Sequence, residues 1–118
     1  MSSYLLNITF DSLRPEPAAQ FWAAVTGWPV SQPFVPGEYA VTPPGGGGPR
    51  LYFTYVPEPK GSKNRLHLDI VPADRTQDQE IARLAGLGAS VVSDLRPEVG
   101  WVVMADPEGN EFCLEPGG

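Results

Sequence analysis

Cysteine and histidine are nearly absent from this sequence. Its 118 residues include one cysteine, Cys113, and one histidine, His67. A single cysteine excludes an intrachain disulfide, and sparse cysteine is ordinary in the cytoplasm. No apolar run approaches the roughly 20 residues that a membrane span needs, and the first residues lack the basic and apolar stretches of a signal peptide. We therefore expect a cytoplasmic protein that does not span a membrane.

Positive charge is also scarce. Eight Lys and Arg residues stand against 14 Asp and Glu residues, so the formal net charge is −6. The sequence contains no basic cluster of the kind that binds nucleic acid or an anionic membrane. These two classes of partner are therefore excluded, which leaves small molecules and other proteins.

The length and the turn-forming residues indicate one domain built from short elements. A chain of 118 residues fits a single domain, and its 42% hydrophobic content is enough for a packed core. Four consecutive glycines lie within the segment Pro43–Pro49, which we interpret as a hairpin loop because ordering glycine is costly in backbone entropy.

The first half of the chain predicts one strand, one helix and three further strands. Leu5–Phe10 alternates like a strand, and Pro15–Thr26 has apolar residues at helical spacing before Gly27. The buried stripe of this helix is predicted to contain Ala18, Phe21, Trp22 and Val25, and further strands are expected over residues 28–32, 39–42 and 51–56.

The second half repeats this layout. Leu66–Val71 predicts a strand, and Thr76–Leu87 predicts a helix that opens on a capping box of Thr76 and Gln79. The buried stripe is predicted at Ile81, Leu84 and Ala85, and strands are expected over residues 89–93, 101–105 and 111–115. Asn7 precedes Gly27 by 20 residues and His67 precedes Gly88 by 21, which suggests a duplicated module. The modules would cover about 1–57 and 64–118, joined by the linker Pro57–Asn64.

Three segments in this order resemble a known superfamily. They are Ala18–Gly27, with its Phe21-Trp22 pair, Asn64–Ile70, and Trp101–Leu114 with its Asp-Pro-Glu-Gly-Asn turn. Together they resemble the glyoxalase/bleomycin-resistance proteins of the vicinal oxygen chelate superfamily, and especially the small glyoxalase-like proteins of bacteria. The resemblance implies an α+β fold of two βαβββ modules, in which a cupped mixed sheet encloses a ligand cavity and the helices lie outside.

The resemblance also implies where a metal would bind. Metal-using members hold a divalent ion with residues from the first and last strands of each module. These positions correspond here to Asn7, to Tyr52 or Thr54, to His67 and to Cys113. An amide oxygen is a weak ligand for a transition metal, and two strong donors are too few for a stable site. We therefore expect no cofactor and no tightly bound metal, and if a metal does bind, its ligands would be His67, Glu111 and Cys113.

The same positions allow two kinds of site. His67 and Asp69 share a strand face, so His67 could act as an acid or base with Asp69 or Glu111. Alternatively, an organic ligand could contact Asn7, Tyr52, Thr54, His67, Trp101, Val103 and Cys113. For Cys113 a role as a small buried hydrophobe is the commoner case, and a lone strand histidine is more often structural than functional.

Two functions follow from these sites. The first is a protein that binds or sequesters a small organic molecule without a metal. The alternative is a lyase, isomerase or dehydratase that uses His67, possibly with a divalent metal. A glyoxalase-like domain whose partner is another protein is a third interpretation. We also expect a homodimer, because small members of the superfamily use a second chain and exposed sheet edges favour pairing.

Overall fold

The computed structural model describes residues 2–33 and 35–117. The chain divides into two compact units, of which the first ends at Pro59 and the second begins at Lys60. Each unit contains one α-helix and one four-stranded sheet. Within the described ranges, neither helix is long and apolar enough to cross a membrane.

The first unit follows the order strand, helix, three strands. These elements are β1 (Asn7–Ser12), α1 (Pro15–Thr26), β2 (Val30–Ser31), β3 (Tyr39–Val41) and β4 (Arg50–Tyr55). In its sheet the order is β1-β4-β3-β2, with β1 parallel to β4 and the other pairs antiparallel. Within the segment Pro43–Pro49, interpreted above as a hairpin loop, Pro44–Gly46 forms a turn in which Gly45 has a φ of 80°.

The second unit has the same topology. Its elements are β5 (Leu68–Ile70), α2 (Gln77–Gly86), β6 (Ser90–Asp94), β7 (Val102–Ala105) and β8 (Glu111–Leu114). Its sheet order is β5-β8-β7-β6, again with one parallel pair, β5 with β8. The predicted α+β fold of two βαβββ modules is therefore confirmed.

Several predicted boundaries were wrong by one or two residues. The strand β1 begins at Asn7 rather than Leu5 and continues to Ser12, and β4 begins at Arg50 rather than Leu51. Pairing with the neighbouring strand sets these limits, because Asn7 is opposite Arg50 and Ser12 is opposite Tyr55. The local alternation of side chains cannot reveal such a limit.

Aromatic side chains form the core between α1 and the first sheet. The rings of Phe10 and Phe53 stack at 4.9 Å, and Phe10 lies 5.8 Å from the ring of Trp22. Trp22 is fully buried as predicted, Phe53 is also fully buried, and Trp28 is half-buried. Since this face of the sheet packs on the helix, alternate residues of β1 and β4 point away from it.

The helix α2 shows one correct and one wrong sequence prediction. The capping box is present, because the Thr76 side chain accepts from the Gln79 N–H and the Gln79 side chain accepts from the Thr76 N–H. Leu84 is buried as predicted, but Ala85 is exposed and Glu80 is buried. Glu80 can be buried because Arg83 donates to its carboxylate at 2.7 Å.

Candidate functional site

The polar face of sheet 1 is the face opposite α1. The pairing of β1 with β4 places Asn7 opposite Arg50, Thr9 opposite Tyr52 and Asp11 opposite Thr54. Side chains at these alternate positions share one side of the sheet. We define the polar face of sheet 1 by these six residues: Asn7, Thr9, Asp11, Arg50, Tyr52 and Thr54.

The Asn7 side chain is hydrogen-bonded to Arg50. The Arg50 Nε donates a hydrogen bond of 2.9 Å to the Asn7 Oδ1, and the Arg50 guanidinium carbon lies 5.4 Å from the centre of the Tyr52 ring. The oxygen that would correspond to a metal ligand thus faces a permanent positive charge. Bringing a metal cation to the same oxygen would place two positive charges side by side.

Tyr52 and Thr54 are both hydrogen-bonded to the Glu38 carboxylate. The Tyr52 hydroxyl donates to Glu38 at 2.5 Å, and the Thr54 hydroxyl donates to the other oxygen of Glu38 at 2.7 Å. These bonds lower the pKa of Glu38, with the Tyr52 bond the larger cause, and the same bond raises the pKa of Tyr52. Tyr52 is therefore a neutral phenol with its ring held in place.

We define the polar face of sheet 2 by Asp69, Val103, Glu111 and Cys113, which share one side of the sheet. The candidates His67 and Trp101 lie just before β5 and β7. Cys113 lies between Asp69 on β5 and Val103 on β7 in the strand register. Burial raises the pKa of the Cys113 thiol, and the charges of Asp69 and Glu115 raise it further. A thiol in such surroundings stays protonated at neutral pH, which makes it a poor metal ligand and a poor nucleophile.

The Glu111 carboxylate is bound by Asn64 and Lys60. The Asn64 N–H donates to this carboxylate at 3.0 Å and the Lys60 ammonium lies at 3.1 Å. The backbone bond from Asn64 is the largest cause of the lowered pKa of Glu111. The carboxylate is ionised, but its oxygens are already paired.

Asn64 connects the linker to the end of the β7–β8 hairpin. Its side-chain oxygen accepts from the Glu111 N–H at 3.3 Å, and its side-chain nitrogen donates to Asn110 at 3.3 Å. Its carbonyl accepts a 3.0 Å bond from the His67 Nε2. Because a carbonyl only accepts, Nε2 carries the proton, and in the neutral ring Nδ1 is then an acceptor.

An open depression of about 340 Å³ lies beside His67. Its volume is within the range of small-molecule sites. Neither Lys63 nor Arg65 forms an ion pair with any described residue. The depression is thus a locally basic surface on an acidic chain, and its lining residues are Lys63, Asn64, Arg65 and His67.

The sequence candidates are thus brought together only in part. Asp69 is hydrogen-bonded to Cys113, and Glu111 contacts Asn64 and Lys60. Trp101 is half-buried just before β7, with its carbonyl bound by the Leu95 N–H. No carboxylate is hydrogen-bonded to His67 among the described residues.

The donor set does not fit a tightly bound transition metal. Among the described residues of either unit, no three His, Cys, Asp or Glu side chains are grouped as a metal site requires. The Asn7 oxygen faces a guanidinium, and the Cys113 thiol is held in its protonated form. Structural zinc usually takes four protein ligands and catalytic zinc three.

Sequence reasoning missed the residues that organise these faces. The predicted strand over residues 51–56 leaves Arg50 just outside it, and neither Glu38 nor Lys63 is among the sequence candidates. Extending β4 by one residue would have put Arg50 on the same face as Tyr52. No local signal points to Glu38, because it precedes β3 by one residue and reaches β4 only through the sheet.

The fold and these faces define a class of protein. Two βαβββ units of this topology are the architecture of the vicinal oxygen chelate superfamily. The Glyoxalase-like domain family matches residues 7–115, so the chain belongs to that family. No curated protein sequence matches the chain significantly.

Solved structures with the same fold have different functions. The antibiotic-binding protein TnmS3 from Streptomyces sp. CB03234 is 26% identical, with 98% of each chain covered and a TM-score of 0.67. The fosfomycin resistance protein FosX from Mesorhizobium loti is 18% identical, with a TM-score of 0.73 over 100% of this chain and 94% of that one. FosX from Listeria monocytogenes, solved with manganese(II) and a dihydroxypropylphosphonic acid, is 15% identical, with a TM-score of 0.71 over 100% and 93%. The likeness to the two FosX proteins extends to the fold alone.

Proposed function

We propose that this chain binds a small organic molecule on the polar faces of its sheets without a tightly bound transition metal. The observation that carries the proposal is the hydrogen bond from Arg50 to Asn7. Asn7 stands at the first-strand position of the superfamily's metal site, and its oxygen here binds the Arg50 guanidinium instead of a metal. The 26% identity to an antibiotic-binding protein supports a binding role.

The polar face of each sheet has the composition of a small-molecule site. Such sites combine apolar and aromatic area with a few placed polar groups. Tyr52 supplies apolar area in the first unit, and Trp101 and Val103 supply it in the second; all three are half-buried. We assign the polar contacts to Asn7 and Thr54 in the first unit and to His67 and Asp69 in the second, where Cys113 is a buried wall residue.

Native mass spectrometry combined with metal analysis tests the proposal. The purified protein is incubated with cellular metabolite extract, and bound masses are identified alongside zinc, nickel, manganese and iron. We expect a bound organic molecule and less than stoichiometric metal after dialysis. Stoichiometric metal that survives dialysis would contradict the metal-free part, and the lack of any bound molecule would contradict the binding part.

The variant His67→Ala separates binding from catalysis. Binding of the identified molecule should weaken, because His67 lines the depression and its ring is fixed by Asn64. Glu58→Gln, an exposed residue outside both faces, is the matched control and should bind normally. Unchanged affinity in His67→Ala would exclude His67 from the site. Turnover of the ligand that is lost in His67→Ala would instead favour the lyase, isomerase or dehydratase alternative.

We further propose a homodimer, located in the cytoplasm. Each sheet has an edge strand preceded by exposed apolar residues. Leu5 and Leu6 precede β1 and are 64% and 55% exposed, and Leu66 near β5 is 64% exposed. A second copy of the chain would remove this surface from water.

A further inference from the structure

We propose that Arg50 is the receptor for an anionic oxygen group, a carboxylate or a phosphate, on the organic ligand of this protein. The inference rests on the proposed function, because it names the chemical class of molecule that the polar face of sheet 1 recognises. It does not depend on the depression beside His67, which belongs to the other unit.

The Arg50 side chain is held in position. Its Nε is bound to Asn7 at 2.9 Å, and its guanidinium lies 5.4 Å from the centre of the Tyr52 ring. The ring is itself fixed by the 2.5 Å bond from its hydroxyl to Glu38. A side chain that is already ordered loses little further rotamer entropy when a ligand binds.

The charge of Arg50 is not neutralised by the described residues. Arg75, Arg83 and Arg96 form ion pairs with Asp or Glu, whereas Arg50 forms none with any described residue. The acidic side chain bound to the same face, Glu38, has its two oxygens taken by Tyr52 and Thr54.

The free part of the guanidinium suits an oxyanion. With Nε bonded to Asn7, the two terminal Nη groups have no hydrogen-bond partner among the described residues. A guanidinium presents paired donors that match the oxygens of a carboxylate or phosphate, and such charge-assisted bonds are stronger than neutral ones. The Tyr52 ring beside it adds an apolar surface for the organic part of the ligand.

Three small probes test this assignment by NMR. Benzoate and phenyl phosphate carry the anionic group, and benzamide is the neutral analogue of benzoate. We expect either anion to shift the Arg50 Nε–H signal and the backbone amides of Asn7 and Tyr52 in a saturable way. Benzamide should bind at least about tenfold more weakly, as expected when a charge-assisted bond is lost.

Substitution of Arg50 should remove the effect. Arg50→Gln should weaken benzoate binding by about ten- to hundredfold. Arg50→Lys, which keeps the charge but not the paired donors, should lose less, and it replaces the Gln variant if that variant does not fold. Arg14→Gln makes the same charge change at an exposed residue of the same unit and should bind benzoate like the unmodified protein.

The variant Asn7→Asp distinguishes an anion receptor from a metal site. The new carboxylate would pair with the neighbouring guanidinium, so benzoate affinity should fall, and manganese(II) binding should stay weak. Stronger manganese(II) binding with unchanged benzoate affinity would overturn the inference. So would a lack of Arg50 shifts with both anions, or Arg50→Gln binding as well as the unmodified protein.

Failure of the inference and failure of the proposed function give different results. If a molecule found by mass spectrometry binds equally well to Arg50→Gln, the inference is wrong and the binding function stands. If no extract component and none of the three probes binds, the proposed function fails as well.

Discussion

At the scale of single residues, Cys113 shows how burial decides chemistry. Its side chain is 9% exposed, and burial is the largest cause of its raised pKa. The hydrogen bond to Asp69 and the nearby charge of Glu115 act in the same direction. The residue thus behaves as a small core side chain rather than as a reactive thiol.

The contribution of Asp69 to this pKa is measurable. Removing its charge in Asp69→Asn should lower the pKa of Cys113, because a neighbouring negative charge disfavours the thiolate. The pH at which iodoacetamide alkylation reaches half its maximal rate should therefore fall. Asp11→Asn, in the other unit, is the control. An unchanged alkylation profile in Asp69→Asn would contradict the contact.

The buried carboxylate of Glu80 makes stability depend on pH. Arg83 is the main cause of its lowered pKa, so its stabilising effect is present above the unfolded pKa of 4.5 and is lost as pH falls through the folded pKa. Glu80→Gln should cost about 1–3 kcal/mol in free energy of unfolding at pH 7.

Urea unfolding of both proteins at pH 7 and pH 3 checks this. The difference between Glu80→Gln and the unmodified protein should be smaller at pH 3 than at pH 7, because the stabilising effect of the ionised carboxylate is lost as pH falls through the folded pKa. Glu98→Gln, at an exposed position, should have little effect at either pH. An equal difference at both pH values would show that charge is not the cause.

At the scale of elements, the helix α1 ends where a glycine allows it. Gly27 has a φ of 76° and donates its N–H to the Ala23 carbonyl at 2.8 Å. A Cβ at Gly27 would meet no atom within 4 Å. Any cost of a side chain there comes from the left-handed backbone alone.

Two glycine substitutions isolate this backbone effect. Gly27→Ala should lower the free energy of unfolding by about 1 kcal/mol. Gly61→Ala should be neutral or slightly stabilising, because Gly61 has no positive φ and no neighbour within 4 Å of an added Cβ. Thermal or urea unfolding compares the two variants, and equal effects would mean that the backbone at Gly27 is unstrained.

At the scale of the whole molecule, the predicted homodimer can be tested directly. Light scattering at micromolar concentration should give twice the 12.7 kDa of one chain. Leu6→Glu should shift the protein towards monomer, since Leu6 precedes an edge strand and is 55% exposed. Val99→Glu changes an apolar loop residue that is 49% exposed and should leave the mass unchanged. A single species of one-chain mass would contradict the prediction.

The sequence by itself determined the duplicated βαβββ layout, the ends of both helices and the family. These features depend on local signals. Helical spacing, the Thr76–Gln79 capping box, Gly27 and the Asp106–Asn110 turn each act within a few residues. Such signals can be read along one chain without knowing which strands pair.

Only the tertiary structure decided which side chains are hydrogen-bonded to each other on the polar face of each sheet. Arg50 and Asn7 are 43 residues apart, and their contact depends on the register of the parallel strands β1 and β4. A shift of one residue would turn Arg50 to the opposite face of its sheet. Asn64, in the linker, and Glu111, at the start of β8, are 47 residues apart and meet only because the linker folds against that strand. The sequence could therefore name Asn7 and His67 as candidates. It could not show that Asn7 is bound to Arg50 or that His67 is bound to the Asn64 carbonyl.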